Sequence, residues 1–156
     1  MQSDPQKKKP NPLVNYMRQP KIYITLPSEG KWWEKGSLSI SENGEYPVYS
    51  MTAKDELAFK TPDALLNGQA MVDVIQSCIP NIKNAWHCPS IDFDLIMIAI
   101  RLATYGDRMS MPHKVPVINE EVDYDIDLRV LIDQQQQNVW IDQIVINENF
   151  IIYIQE

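Results

Sequence analysis

The chain has 156 residues, enough for one domain with a buried core. Hydrophobic residues make up 44% and charged residues 22%, proportions typical of a soluble globular protein. No apolar run reaches the roughly 18 residues needed to span a bilayer, and two cysteines are too few for a disulfide framework. The amino terminus also lacks the apolar run of a signal peptide, so we expect a protein that works in a cytoplasm or in something assembled there.

Charge is unevenly distributed along the chain. The formal net charge is −7, of which residues 1–20 carry +3, so about −10 remains on the rest. A body that acidic repels phosphate backbones, so nucleic-acid binding would depend on Lys7, Lys8 and Lys9 alone. We therefore expect neither a nucleic-acid partner nor a membrane partner.

Residues 1–20 are predicted to form a flexible basic arm, because their prolines and lysines cannot bury enough apolar surface to fold independently. The arm nevertheless contains Leu13, Val14, Tyr16 and Met17, which is more apolar surface than a linker needs. These side chains either pack back on the body or become ordered on a partner. Residues 21–156 are predicted to form one globular α+β domain.

The first third of this domain is predicted to be a small antiparallel sheet. Residues 21–26 alternate and are rich in β-branched and aromatic side chains, which indicates a strand. Residues 37–40 suggest a second strand, and residues 46–50 a third at a sheet edge. The Asn43-Gly44 pair between these two is a strong hairpin signal.

Trp32 and Trp33 lie between the first two predicted strands. Adjacent residues in an extended chain face opposite ways, so at most one indole can enter the core. The other is either a contact for a partner or a cover for a loop inside the domain, since exposed large aromatics often mark interfaces.

Three helices are predicted next. Thr52 and Asp55 resemble a capping arrangement that opens a helix ending at Phe59. Pro62 at a first helical position opens a short second helix, and residues 69–78 carry a helical apolar repeat that Pro80 stops.

Residues 90–106 predict a longer helix, around which the domain is built. Ser90 is the predicted N-cap, Asp92 and Asp94 place negative charge in the first turn, and Gly106 closes the helix. Residues 95–100 are all apolar, so we expect this helix to be buried.

Arg101 is the one cation of this helix. A guanidinium on an apolar helix must be paired or must reach a surface. Either Arg101 forms a structural ion pair, with Asp94 the candidate partner, or it anchors a partner protein.

The C-terminal part is predicted to be mostly extended. Residues 124–130 alternate between apolar and charged side chains, which predicts a strand with one dry and one wet face. Residues 134–137, all glutamine, are interpreted as a solvated helix turn or loop. Residues 144–146 and 150–154 predict a terminal hairpin, either sandwiched in the domain or waiting for another chain to pair with its edge.

The sequence offers little catalytic chemistry. It has no glycine-rich phosphate loop, no nucleophile elbow and no His-Glu-x-x-His helix. Cys88 adjoins His87, but neighbouring side chains rarely point together. A zinc site from Cys78, His87, Cys88 and His113 has suitable atoms but lacks the close spacing of metal knuckles. We therefore expect no enzyme, no bound metal and no cofactor, and keep a small thiol- or metal-dependent enzyme as the alternative.

Several long runs resemble the baseplate hub protein family of T-even-type tailed bacteriophages. The resemblance covers roughly residues 11–132 and is carried by these runs: NPL at 11–13, RQPKIY at 18–23, LPSEG at 26–30, GEYP at 44–47, MTAKDE at 51–56, TPDALLNG at 61–68, VIQSC at 74–78 and RLATYG at 101–106. Because these runs are long and irregular, chance is a poor explanation for them.

The resemblance implies a non-enzymatic hub subunit or hub assembly factor of a contractile tail. Implied partners are other baseplate hub or tape-measure proteins, with a homo-oligomer possible, in the host cytoplasm during assembly or in the virion. A transient chaperone for the tape-measure protein is the alternative. The predicted partner-binding residues are Leu13, Tyr16, Met17, Trp32, Trp33, Leu65, Leu66, Arg101 and Tyr105.

Overall fold

The computed structural model describes residues 17–114, 121–137, 143–147 and 150–153. The fold is mixed α+β, as predicted. In chain order its elements are β1 (Ile22–Thr25), β2 (Glu45–Val48), α1 (Ala53–Phe59), α2 (Pro62–Leu66), α3 (Gln69–Cys78), α4 (Ser90–Tyr105), β3 (Arg108–Lys114), β4 (Glu121–Asp127), α5 (Leu128–Gln136), β5 (Gln143–Asn147) and β6 (Phe150–Tyr153). The strands form three separate antiparallel pairs, β1–β2, β3–β4 and β5–β6.

The β1–β2 pair covers one side of the core. Ile24 stands opposite Tyr46, and both side chains are buried together with Val48. Tyr23 stands opposite Pro47 on the other face of the pair and is exposed. Buried and exposed side chains thus alternate along the strands, which gives this two-stranded sheet one apolar face towards the core.

The predicted strand at residues 37–40 is wrong. Within the described segments, Leu38 forms an isolated bridge to Ile82 and no strand, and the Ser39 N–H donates to the Asn81 carbonyl over 2.8 Å. This segment therefore pairs with the irregular loop before α4 instead of β2. The predicted turn does form, since the Gly44 N–H donates to Ser41 O over 3.2 Å, but it leads from that segment into β2.

The three predicted short helices are confirmed. Thr52 caps α1 with a complete capping box, in which the Thr52 and Asp55 side chains each bond the other's backbone N–H. Pro62 begins α2, and α3 spans Gln69–Cys78. Gly68, between α2 and α3, has a φ of 76°, a conformation that favours glycine.

The long predicted helix is confirmed as α4, which packs against α3, α5 and both strands of the first sheet. Leu95, Ile96 and Ile100 are fully buried. Gly106 closes α4 with a φ of 93°, as predicted, but the N-cap is Pro89, and Ser90 is already helical. Within the described residues, no helix is both long enough and apolar enough to cross a membrane.

The predicted strand at residues 124–130 is correct only as far as Asp127. There β4 ends and α5 begins, because the Asp127 side chain accepts from the Arg129 N–H over 2.9 Å and caps the new helix. Leu128 and Ile132 are buried on one face of α5 at helical spacing. The glutamine run belongs to the last turn of α5 and the residue after it, in agreement with the helix-turn interpretation.

The predicted terminal hairpin is confirmed as β5–β6, with a bulge between Val145 and Asn147. It is not sandwiched in the domain, because the large side chains Ile144, Val145, Ile146, Phe150 and Ile152 are exposed by 43% to 62%.

Candidate partner-binding surfaces

The β3–β4 pair is a ribbon with two chemically different faces. Residues directly opposite each other in an antiparallel pair share a face. One face carries Arg108, Ser110, Pro112 and Lys114 opposite Asp127, Asp125, Asp123 and Glu121. The other, which we call the ribbon's apolar face, carries Met109, Met111 and His113 opposite Ile126, Tyr124 and Val122.

The ribbon's apolar face is largely uncovered. Met109 and Ile126, nearest the body, are half-buried and pack against the core. The next pair outward is more exposed, with 44% for Met111 and 66% for Tyr124, and Val122, further from the core, is 48% exposed. The charged, solvent-exposed face predicted from the sequence is therefore confirmed. Nothing among the described residues, however, covers most of the ribbon's apolar face.

An apolar groove continues this face towards the body. It encloses about 460 Å³ between α4, the end of α1, the ribbon and the start of α5. Four of the chain's seven methionines line it. Its lining consists of Met51, Phe59, Met97, Ile98, Ile100, Arg101, Tyr105, Met109, Met111, Ile126, Leu128 and Leu131.

Arg101 lies on the wall of this groove together with Tyr105. The Arg101 Nε–H points at the Met109 Sδ, 3.0 Å away, and its guanidinium lies over the Tyr105 ring, 5.4 Å from the ring centre. In the part of the chain that the structure describes, Arg101 pairs with no carboxylate, so the predicted ion pair with Asp94 is wrong. Two residues predicted to face a partner thus meet in one apolar groove.

The remaining predicted contact residues are scattered. Met17, Trp32 and Leu66 are exposed, by 62%, 40% and 87%, but lie on separate segments away from the groove. Leu13, Tyr16 and the side chain of Leu65 lie outside the described part of the chain. Among the predicted contact residues that the structure describes, Arg101 and Tyr105 are the two that lie together.

Trp33 links its loop to α4. It is half-buried against the core, and its indole N–H donates to Asp92 Oδ2 over 2.7 Å. The prediction that only one of the two indoles enters the core is confirmed, and Trp32 is the one left at the surface.

Asp92 anchors the loop that carries both tryptophans, a role that the sequence did not suggest. Its carboxylate is fully buried and accepts from the Ser28 N–H over 3.0 Å, from the Ser28 hydroxyl and from Trp33. The bonds hold residues 28–33 against the N-terminal turn of α4. The same loop contains Glu29 and Trp32 with φ values of 54° and 69°, a conformation that needs external support in residues other than glycine.

Arg18 fixes the start of the described chain to the helices. Its guanidinium donates to the Ser77 carbonyl over 2.8 Å and to the Ser50 carbonyl, and lies 3.9 Å from Asp55. Burial pushes the pKa of Asp55 upward, but hydrogen bonds from Thr52 and Ser77 and the Arg18 charge outweigh it and leave that pKa below its usual value. The packed part of the chain therefore begins at Arg18 or before it.

The cysteine and histidine side chains are the candidates for a reactive or metal-binding centre. Burial raises the pKa of Cys78 to about 11 and that of Cys88 to about 12, so both thiols stay protonated near neutral pH. His87 lies 3.5 Å from Glu34, and His113 stands on the ribbon. Across residues 17–114 and the later described segments, no three metal-ligating side chains converge.

Comparisons with known proteins give one positive result. No curated protein and no solved structure matches the chain. The profile of the family described as T4 bacteriophage base plate protein matches residues 18–155, which include the groove, the ribbon and the terminal hairpin. The chain therefore belongs to the T4-type bacteriophage base plate protein family.

Proposed function

We propose that this protein is a non-enzymatic subunit of the baseplate hub of a contractile phage tail, and that it acts through protein–protein contacts. The observation that carries the proposal is the uncovered apolar face of the ribbon, where Met111, Val122 and Tyr124 are each exposed by more than two fifths. Monomeric proteins rarely leave large contiguous apolar patches in water, whereas interfaces are enriched in tyrosine and methionine.

The terminal hairpin supports the same conclusion. Ile144, Val145, Ile146, Phe150 and Ile152 expose apolar side chains on a two-stranded hairpin. Such a hairpin is marginally stable by itself, so a partner that covers it contributes to its stability. Neither strand carries a charged residue, although charge is the usual protection of an exposed edge.

The state of the thiols supports a role without catalysis. A cysteine nucleophile needs a thiolate, and burial keeps both Cys78 and Cys88 protonated. Among the described residues, the Cys88 thiol points at the Pro89 carbonyl and no histidine bonds it, while His87 lies 3.5 Å from Glu34. Protein contacts explain the exposed apolar residues, whereas thiol chemistry explains none of them.

Quantitative mass spectrometry of purified virions tests the proposal. A hub subunit is present at a fixed ratio to other tail proteins, and this ratio stays constant through a second purification step in high salt. A transient chaperone for the tape-measure protein is required in the infected cell but absent from the virion. If virions assemble only when this protein is produced, and yet do not contain it, the protein is a chaperone and not a hub subunit.

A further inference from the structure

We infer that the apolar groove beside α4 receives an amphipathic helix of a partner protein, and that a carboxylate on this helix pairs with Arg101. The inference rests on the proposed function, in that it names the kind of segment by which a baseplate partner is recognised. The groove volume of about 460 Å³ equals the volume of about fifteen water molecules, which is room for several apolar side chains.

The lining indicates a helix rather than an extended segment. Apart from Arg101 and the Tyr105 hydroxyl, the lining side chains offer nothing to which a partner's backbone could hydrogen-bond. Buried backbone groups must be paired, so the occupant has to satisfy its own, and a helix does this within one segment. An extended segment would instead need a free strand edge, whereas this groove uses the face of the ribbon.

The methionines fit the same occupant. Met51 precedes α1, Met97 lies on α4, and Met109 and Met111 lie on β3, so the methionines approach the groove from three segments of the chain. Methionine is unbranched and polarizable, so it adapts to apolar ridges of irregular shape. Methionine-rich grooves suit helices that present anchors at positions i, i+3, i+4 and i+7.

Arg101 specifies the charge of the occupant. It is the one charged residue of the lining, and among the described residues its terminal nitrogens meet no acceptor. An occupant that covered the guanidinium without pairing it would leave a desolvated charge at high cost. The bound helix must therefore bring an aspartate or a glutamate to this end of the groove.

Site-specific photo-cross-linking in infected cells tests where the helix binds. Benzoylphenylalanine replaces Ile98 in the groove, and the matched control replaces Tyr23, which is exposed on β1 away from the groove. We expect position 98, and not position 23, to cross-link to one partner segment with helical apolar spacing and an acidic residue. A cross-link to a second copy of this chain or to a segment with alternating strand pattern would overturn the inference, as would no cross-link from position 98.

A charge exchange tests the pairing, with the synthetic peptide of the cross-linked segment as probe. We expect Arg101→Glu to weaken peptide binding by at least about tenfold, as for a charged hydrogen bond, and a peptide with lysine in place of its acidic residue to restore binding. Lys35→Glu makes the same change of charge on an exposed loop outside the groove and should leave binding unchanged. Equal binding of the peptide by wild type and Arg101→Glu would refute the pairing.

Arg101→Gln keeps the test interpretable if the glutamate variant unfolds. The neutral amide removes the charge without placing an anion near the C-terminus of α4.

The two proposals can fail separately. If the protein is present in virions but position 98 gives no cross-link, the groove inference alone is refuted. Protein absent from virions that still cross-links through position 98 refutes the hub-subunit role alone.

Discussion

Replacing Asp92 with alanine tests the structural account most severely. The Asp92 carboxylate accepts three hydrogen bonds and joins α4 to residues 28–33. The Gly30 N–H donates to the Ser28 Oγ over 3.2 Å, so the Ser28 hydroxyl hydrogen is directed at Asp92. Asp92→Ala therefore removes the acceptor of three donors at once.

The expected loss of stability follows from how buried those donors are. Ser28 is 1% exposed, so its N–H and its hydroxyl cannot reach water once Asp92 is gone. Each unsatisfied buried donor costs about 1–3 kcal/mol, and the half-buried Trp33 indole can turn towards solvent at lower cost. We therefore expect Asp92→Ala to lower the free energy of unfolding by about 4 kcal/mol, a large share of the roughly 5–15 kcal/mol typical of a domain.

Urea unfolding followed by tryptophan fluorescence measures this loss. With a slope of about 2 kcal/mol per molar urea, the midpoint should fall by about 2 M for Asp92→Ala. Ser28→Ala serves as the control, because it leaves Asp92 with two donors. It removes one donor to Asp92 and the acceptor of the half-buried Gly30 N–H, and it should cost about 1 kcal/mol. A midpoint for Asp92→Ala within about 0.3 M of wild type would refute the role assigned to this carboxylate.

Three further predictions concern other parts of the fold. Gly106→Ala should lower the free energy of unfolding by about 2 kcal/mol in a thermal or urea melt. The cost is backbone strain at a φ of 93°, since the added Cβ would have no atom within 4 Å to clash with. An unchanged free energy of unfolding would contradict the role of Gly106 as the helix cap. The pKa of Asp55 is lowered in the fold, so its contribution to stability is present above the unfolded value of 3.8 and lost as the pH falls through the folded one. The difference in urea midpoint between wild type and Asp55→Asn should therefore shrink from about pH 7 to about pH 2.5, and an unchanged difference would contradict the assignment. With pKa values of about 11 and about 12, Cys78 and Cys88 should react with Ellman's reagent at about pH 8 far more slowly in the folded protein than in urea. Equal rates in the folded protein and in urea would contradict the raised pKa values and support the thiol-enzyme alternative.

The parts of the fold set by local chemistry could be predicted from the sequence. The Thr52–Asp55 capping box, Pro62 at a helix start and Gly106 at a helix end each act within a few residues. The errors arose where the outcome depends on a distant partner. Residues 37–40 have strand-like composition, but Leu38 meets Ile82 from a loop instead of a neighbouring strand.

The end of β4 shows a second kind of ambiguity. Apolar residues at 124, 126, 128 and 130 fit a strand, while those at 128, 131 and 132 fit a helix equally well. The Asp127 side chain decides between them by capping α5, and this leaves Val130 exposed and Ile132 buried.

The candidate site was only partly visible in the sequence. Arg101 stood out because a cation on an apolar helix needs an explanation, yet its neighbour Met109 lies beyond the Gly106 turn and carried no signal. Asp92 looked like an ordinary first-turn acid, since its partners Ser28 and Trp33 lie 64 and 59 residues away. Periodicity predicted the apolar face of the ribbon, but it could not show that no residue in the described part of the chain covers most of this face.

The most direct test of the central claim compares two matched tyrosines. Tyr124 and Tyr23 both stand on two-stranded antiparallel sheets and are exposed by 66% and 59%, but only Tyr124 lies on the ribbon's apolar face. Neither Tyr124→Ser nor Tyr23→Ser should change stability by more than about 0.5 kcal/mol, because both side chains are exposed.

The measurement is the amount of each variant in purified virions, determined by mass spectrometry relative to another tail protein. If the ribbon's apolar face binds a baseplate partner, Tyr124→Ser should be incorporated at least about tenfold less than wild type, since a tyrosine at an interface hot spot contributes about 2 kcal/mol or more. Tyr23→Ser should be incorporated at the wild-type level. Wild-type incorporation of Tyr124→Ser would contradict the claim that this face holds the protein in the baseplate.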